Sequence, residues 1–163
     1  MNILKTTLAI ALSTIVSACS IDIDSDHNDG YRRSIDRTAA APEGGMTLPF
    51  SAAVRYGNTL YLSGAVGVDP ITDKLVEGGI TAETRQTLQN IDATLMKHGL
   101  DRTDVIKCTV FMADINDWQM MNDVYVTYFG DHLPARSAMG ANGLALGARV
   151  EIECIAAYNN KNY

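Results

Sequence analysis

The sequence is poor in the residues that most metal and nucleotide chemistry requires. It holds three histidines, three cysteines and one tryptophan in 163 residues. No Cys-x-x-Cys and no His-x-x-x-His pair occurs, so a tetrahedral thiolate or imidazole centre has no ligand set. Gly64, Gly67, Gly78 and Gly79 are not followed by Gly-Lys-Ser/Thr, which excludes a phosphate-cradling loop. Basic residues are scarce, 13 Lys and Arg against 19 Asp and Glu, for a net charge of −6. Nucleic-acid binding needs a basic face, and none is expected here. Ser51, Ser63 and Ser137 lack an evident His–Asp set, which argues against a serine hydrolase. The one sustained apolar run, from Thr6 to Val16, is too short to span a bilayer.

What is present begins with that run. Lys5 precedes it and Val16-Ser17-Ala18-Cys19 follows it. Small residues before a cysteine resemble a bacterial lipoprotein signal, in which cleavage precedes Cys19 and its thiol is lipidated. An ordinary secretory signal cut after Ala18, or a fortuitous cysteine, is the alternative. Residues 1–18 are therefore read as a lipoprotein signal peptide. Ser20 after the cysteine would send the product to the outer membrane of a two-membrane bacterium, anchored in the cell envelope and facing the periplasm. Losing residues 1–18 removes one Lys and no acid, which moves the charge from −6 to −7. Residues 19–45 carry Asp22, Asp24, Asp26, Asp29, Arg32, Arg33 and Arg37 with few large apolar side chains, and read as a flexible tether. His27 among the aspartates is a weak metal candidate; a solvated spacer is the plainer reading.

Residues 46–163 have the length of one domain. Val54–Tyr56 and Thr59–Leu62 flank Gly57-Asn58, a two-residue turn signal, and predict a β-hairpin. Thr81 can cap a helix running to His98, with Thr84, Leu88, Ile91 and Leu95 as its buried stripe and Gly99 as its stop. Val105–Met112 is β-branched and apolar, and predicts a strand. Asn116 can cap a second helix carrying Met121, Val124, Tyr125 and Tyr128 on one face, with Gly130 ending it. The pattern predicts an α+β, two-layer arrangement: a mixed β-sheet with two helices on one face. The other sheet face must meet solvent or another subunit. Cys108 and Cys154 fall in predicted strands. They either pair in an oxidising compartment or pack as buried thiols, and pairing requires neighbouring strands with facing Cβ atoms.

Chemistry concentrates in Leu133-Pro134-Ala135-Arg136-Ser137 and Arg149-Val150-Glu151-Ile152-Glu153. The glycine-bearing stretch between them predicts a final hairpin that brings Arg136 and Glu151 to one pocket. A guanidinium holds a substrate carboxylate through two parallel hydrogen bonds. A carboxylate beside it positions and deprotonates water. The plain alternative is a surface ion pair, worth roughly 0–1 kcal/mol. His98 at a helix end needs no catalytic role, His132 adjoins the Arg136 turn, and Trp118, Met120 and Met121 read as packing residues.

From Pro49 to Ala157 the chain resembles the reactive intermediate deaminase (Rid, or YjgF-like) family. The resemblance rests on Pro49-Phe50-Ser51, Tyr61-Leu62-Ser63-Gly64, Thr87-Leu88-Gln89-Asn90-Ile91, Lys107-Cys108-Thr109-Val110-Phe111, Pro134-Ala135-Arg136-Ser137 and Val150-Glu151-Ile152-Glu153, in family order. It implies a chorismate-mutase-like fold assembled as a homotrimer, with sites between subunits. It implies that Arg136 grips a substrate carboxylate, that Glu151 holds the attacking water, and that Phe50, Ser63, Gly64 and Ala138 line the pocket. The implied reaction converts a 2-imino acid or its enamine to a 2-keto acid and ammonia, and it needs no metal and no organic cofactor. Three positions depart from the family: Phe50 lacks the usual phenolic hydroxyl, Ala65 stands where many members carry Gln, and Ala138 where many carry Cys. The alternatives are a non-catalytic binding module for small carboxylates or a partner protein, and a stabilising surface protein with a vestigial cleft.

Overall fold

Side-chain alternation decides which sheet face meets the helices. In the strand Val105–Met112 the residues Cys108, Val110 and Met112 are buried, while the intervening ones are partly exposed. In Val150–Ala157 the residues Val150, Ile152, Cys154 and Ala156 are buried. The computed structural model describes residues 34–40 and 48–159. Cys19, the signal segment and most of the stretch read as a tether lie outside those residues.

The main sheet runs β1-β2-β3-β9-β7-β8. Its strands are β1 (Ile35–Ala39), β2 (Ser51–Tyr56), β3 (Thr59–Leu62), β7 (Val105–Met112), β8 (Ala135–Gly140) and β9 (Val150–Ala157). A short β4 (Ala65–Val66) also pairs with β9, and β5 (Val68–Asp69) with β6 (Lys74–Leu75) forms a small ribbon. Among the described residues, α1 (Gly79–Lys97) and α2 (Trp118–Phe129) pack on one face, as the sequence predicts. No described helix is long and apolar enough to cross a membrane.

The β2–β3 hairpin forms as predicted, with Tyr56 opposite Thr59 and Gly57 at φ 58°. Thr84, Leu88, Ile91 and Leu95 all face the core. Asn90 of the same helix donates to the carbonyls of Val66 and Val68, which ties the β4–β5 stretch to α1. Both expected helix caps are displaced. Thr81 lies inside α1, which begins after Gly78 at φ 111° and has no side-chain cap. Asn116 lies in the 3₁₀ turn Ile115–Asp117, where the Asp114 carboxylate accepts from its backbone N–H.

Two expectations are overturned. The stretch 19–45 is not tether throughout: Ile35–Ala39 forms β1, antiparallel to β2, with Arg37 opposite Val54. Thr38 and His98 then bond side chain to side chain at 3.0 Å, tying β1 to the end of α1. A polar strand that pairs through its backbone needs no apolar pattern, so composition concealed it. The final hairpin does not exist either. β8 lies parallel to β7 after the α2 crossover, and β9 lies antiparallel on the other side of β7. The parallel β7–α2–β8 unit carries β8 to the sheet edge, so the 141–149 connection must pass over β7.

Cys108 and Cys154 are direct cross-strand partners with Cα atoms 4.1 Å apart, the close spacing of a non-hydrogen-bonded antiparallel pair. Both side chains point to the helix face, and they form a disulfide.

Candidate active site

Strand register places the candidate residues. Arg136 is opposite Cys108, and Cys108 is opposite Cys154. Directly paired residues share a sheet face, so Arg136 belongs to the helix face, at its β8 edge. There it meets α2. Its Nη2 donates to Asn122 Oδ1 at 2.8 Å. Its guanidinium carbon lies 4.5 Å from the Tyr125 ring centre and 5.5 Å from that of Trp118. Trp118, Asn122 and Tyr125 recur at helical spacing and form a cradle for one cation. Burial pushes the Tyr125 phenol up to about 12, against the opposing pull of Arg136.

Glu151 occupies the other face. It is opposite Phe111, which is opposite Met139, while Val66 flanks it from β4. Glu151 and Cys154 are three positions apart, an odd step along the strand, so their side chains project to opposite sides. The half-buried Glu151 carboxylate lies over Gly64: a Cβ at Gly64 would collide with Glu151 Oε1. Gly64 is thus the residue that gives this carboxylate its space. Ser63, next to it, is fixed by two bonds to β2: its hydroxyl donates to the Ser51 carbonyl at 2.7 Å and its N–H to the Ala52 carbonyl at 3.0 Å. Phe50 is half exposed just before β2. Ala138 lies two residues beyond Arg136 on the helix face, packed against the core.

One chain therefore groups Glu151, Gly64 and Ser63 near the open sheet face and holds Arg136 across the sheet at the β8 edge. It does not bring Arg136 and Glu151 into one cleft. His132 is exposed beside the Arg136 turn. Asn122 escaped the sequence reading; its signal was its place four residues after Trp118 and three before Tyr125. Glu83 also escaped it. This buried α1 carboxylate accepts from the Arg149 N–H at 2.7 Å and thereby holds the start of β9, just before Glu151. Among the described residues no cluster of three or more His, Cys, Asp or Glu forms a metal site.

The fold and these residues define a small two-layer α+β protein whose polar candidates lie on a strand edge and an uncovered sheet face. A family model described as "Endoribonuclease L-PSP" matches residues 39–158. A human protein named 2-iminobutanoate/2-iminopropanoate deaminase is 43% identical over 124 residues, covering 76% of this chain and 89% of that protein. The Bos taurus protein of the same name is 47% identical over the same shares. The crystal structure of E. coli TdcF with bound serine matches with a TM-score of 0.69 at 30% identity, covering 76% of this chain and all of that one. The chain belongs to this family, the Rid or YjgF-like proteins.

Proposed function

We propose that this chain hydrolyses 2-imino acids, or their enamine tautomers, to 2-keto acids and ammonia. The proposed pocket is shared between copies of the chain. The observation that carries the reading is the presence in one chain of a cradled guanidinium on β8 and a carboxylate over a glycine on β9, in a chain 43% and 47% identical to proteins named as imine deaminases. Arg136 binds the substrate carboxylate with the donors that Asn122 leaves unused. Glu151 accepts a proton from water as the water oxygen bonds to the imine carbon. The carbinolamine then collapses: Glu151 returns the proton to nitrogen, the C–N bond breaks as the carbinolamine hydroxyl gives its own proton to the Glu151 carboxylate and becomes the keto carbonyl, and ammonia leaves and takes up that proton as ammonium. A protonated imine is already electrophilic, so orientation supplies most of the effect. In one chain the two residues project to opposite sheet faces, so Arg136 must serve the Glu151 of a second copy. A homotrimer with interfacial sites satisfies this. The family carries the description of an endoribonuclease; the net charge of −6 offers little attraction to a phosphate backbone.

Phe50, Ala65 and Ala138 leave the pocket with fewer polar groups, which favours a second reading, a carboxylate-binding module without turnover. Keto-acid release from freshly generated imino acids separates the two. Arg136→Ala should weaken carboxylate binding by roughly ten- to a hundredfold. Glu151→Gln should lower turnover about 10²–10⁴-fold with binding largely intact. Turnover unchanged by both substitutions would remove the assignment, and ligand binding without any wild-type turnover would establish the binding module.

We also propose that Cys19 carries lipid and tethers the domain to the cell envelope, facing the periplasm. The Cys108–Cys154 disulfide supports an oxidising compartment. Membrane fractionation of the wild type beside Cys19→Ala tests this: a mature protein of unmodified mass in the soluble fraction would end the proposal.

A further inference from the structure

A cavity of about 480 Å³ opens between α1 and α2, away from every residue assigned above. We propose that this groove is a second binding site, for a small organic monocarboxylate with a short apolar body. Arg85, Leu88 and Asp92 line it from α1, Val124 and Tyr128 from α2, and Arg102, just before β7, completes it. The floor is apolar: Leu88 is buried, and Val124 and Tyr128 are half-buried.

The charged groups are unequally engaged. Asp92 accepts a short hydrogen bond from the Tyr128 hydroxyl, and Asp123 accepts from Gln119. Burial and the Asp92 bond push the Tyr128 phenol well above its usual range, so it remains a proton donor to Asp92. Arg102 lies over the Tyr128 ring at 5.7 Å. Among the described residues the ion pairs all involve Arg149; no carboxylate lies within ion-pair distance of Arg85 or Arg102, and Asp101 is the carboxylate that feels the Arg102 charge. Two guanidinia with unused donors beside an apolar floor fit a carboxylate head and a short hydrocarbon tail. The two aspartates disfavour a second negative charge, which restricts the ligand to a monoanion. The volume falls in the range of small-molecule pockets, about 300–1,000 Å³.

The groove is separate from the Arg136 cradle. On α2, Trp118, Asn122 and Tyr125 turn toward Arg136, whereas Val124 and Tyr128 turn toward α1. The keto-acid product of the proposed deamination is one member of this ligand class. A product-sensing role would rest on that reading; the binding itself does not.

The test uses the full-length chain, titrated with sodium 2-oxobutanoate and with unreactive sodium butanoate, followed by amide NMR shifts. Saturable shifts at Leu88, Gln89, Val124 and Thr127 are expected in wild type and in Arg136→Ala. The exposed pair Arg85→Ala/Arg102→Ala should weaken them by at least about tenfold. The proposal is overturned by shifts confined to the Arg136 surroundings, by an equal response in the double variant, or by the same response to sodium chloride. Loss of keto-acid release with groove binding intact would refute the deaminase reading alone.

Discussion

Gly64 and Asn122 show at single-residue scale how much the proposed chemistry depends on groups that do no chemistry. A methyl group on Gly64 meets the free end of a flexible glutamate, not backbone. Gly64→Ala should therefore leave the fold intact while displacing the Glu151 carboxylate. Thermal melting within a few degrees of wild type, with turnover down at least about tenfold, is the expected result; unchanged turnover would detach Glu151 from the reaction. In the proposed reaction Asn122 would act as a positioning residue, through its hydrogen bond from Arg136. Asn122→Ala should raise KM for imino acids about three- to tenfold with a smaller change in kcat, because one charged hydrogen bond orienting Arg136 is lost. Asn122→Asp should raise KM further, since a carboxylate at that position competes with the substrate for the guanidinium. A merely structural asparagine would lower kcat and stability without that ordering.

At the scale of elements, the β7–β9 ladder and α2 carry the most consequence. The disulfide joins residues 46 apart inside the core. By chain-entropy reasoning, cross-linking a loop of that length stabilises by about 4 kcal/mol. Thiol counting on the denatured, unreduced protein should find neither Cys108 nor Cys154 free. Cys108→Ala/Cys154→Ala should lower the urea midpoint accordingly, and an unchanged midpoint would deny the bond a structural role. On α2, the buried Tyr125 hydroxyl has no hydrogen-bond partner among the described residues. Its folded pKa, about 12, exceeds the ordinary 10. A raised folded pKa means stability is fully present below pH 10 and lost as pH rises toward 12. The loss from this group reaches about 2 kcal/mol at pH 12. Tyr125→Phe should be neutral or stabilising at pH 7 and should flatten the alkaline decline. Denaturant midpoints at pH 8, 10 and 11.5 measure this, and a variant that declines in parallel with wild type contradicts it.

For the whole molecule, the central fact is that Arg136 and Glu151 project to opposite faces of one sheet, with β7 between their strands. Two copies are required before they can share a substrate. Arg136→Ala and Glu151→Gln, each strongly impaired alone at subsaturating substrate, should therefore complement when co-refolded. If each site takes its arginine from one chain and its glutamate from the next, random equal mixing leaves about a quarter of sites intact. Activity near a quarter of wild type supports the shared pocket. No recovery, from mixed oligomers confirmed by mass, rejects it. The open face offers material for such contact: Tyr61 and Met139 are both nearly half exposed there.

Local pattern was enough for most elements, because an amphipathic stripe or a Gly-Asn turn needs only near neighbours in the chain to declare itself. Val105–Met112, the β2–β3 hairpin, the stripe from Thr84 to Leu95 and the stops at Gly99 and Gly130 were all legible this way. So were Arg136 and Glu151 as the residues to watch, through their surrounding motifs. Strand order was not legible. A nine-residue-scale connection is compatible with a hairpin or a crossing, and only the right-handed β7–α2–β8 unit decides that β8 takes the edge. The β1 strand was equally hidden, since backbone pairing leaves little mark on side-chain composition. The Asn122 cradle, the space over Gly64, the groove between the helices and the pairing of Cys108 with Cys154 all join residues distant in sequence. Such contacts depend on how the elements pack together, and it is the packing that sets Arg136 and Glu151 on opposite sides of the sheet.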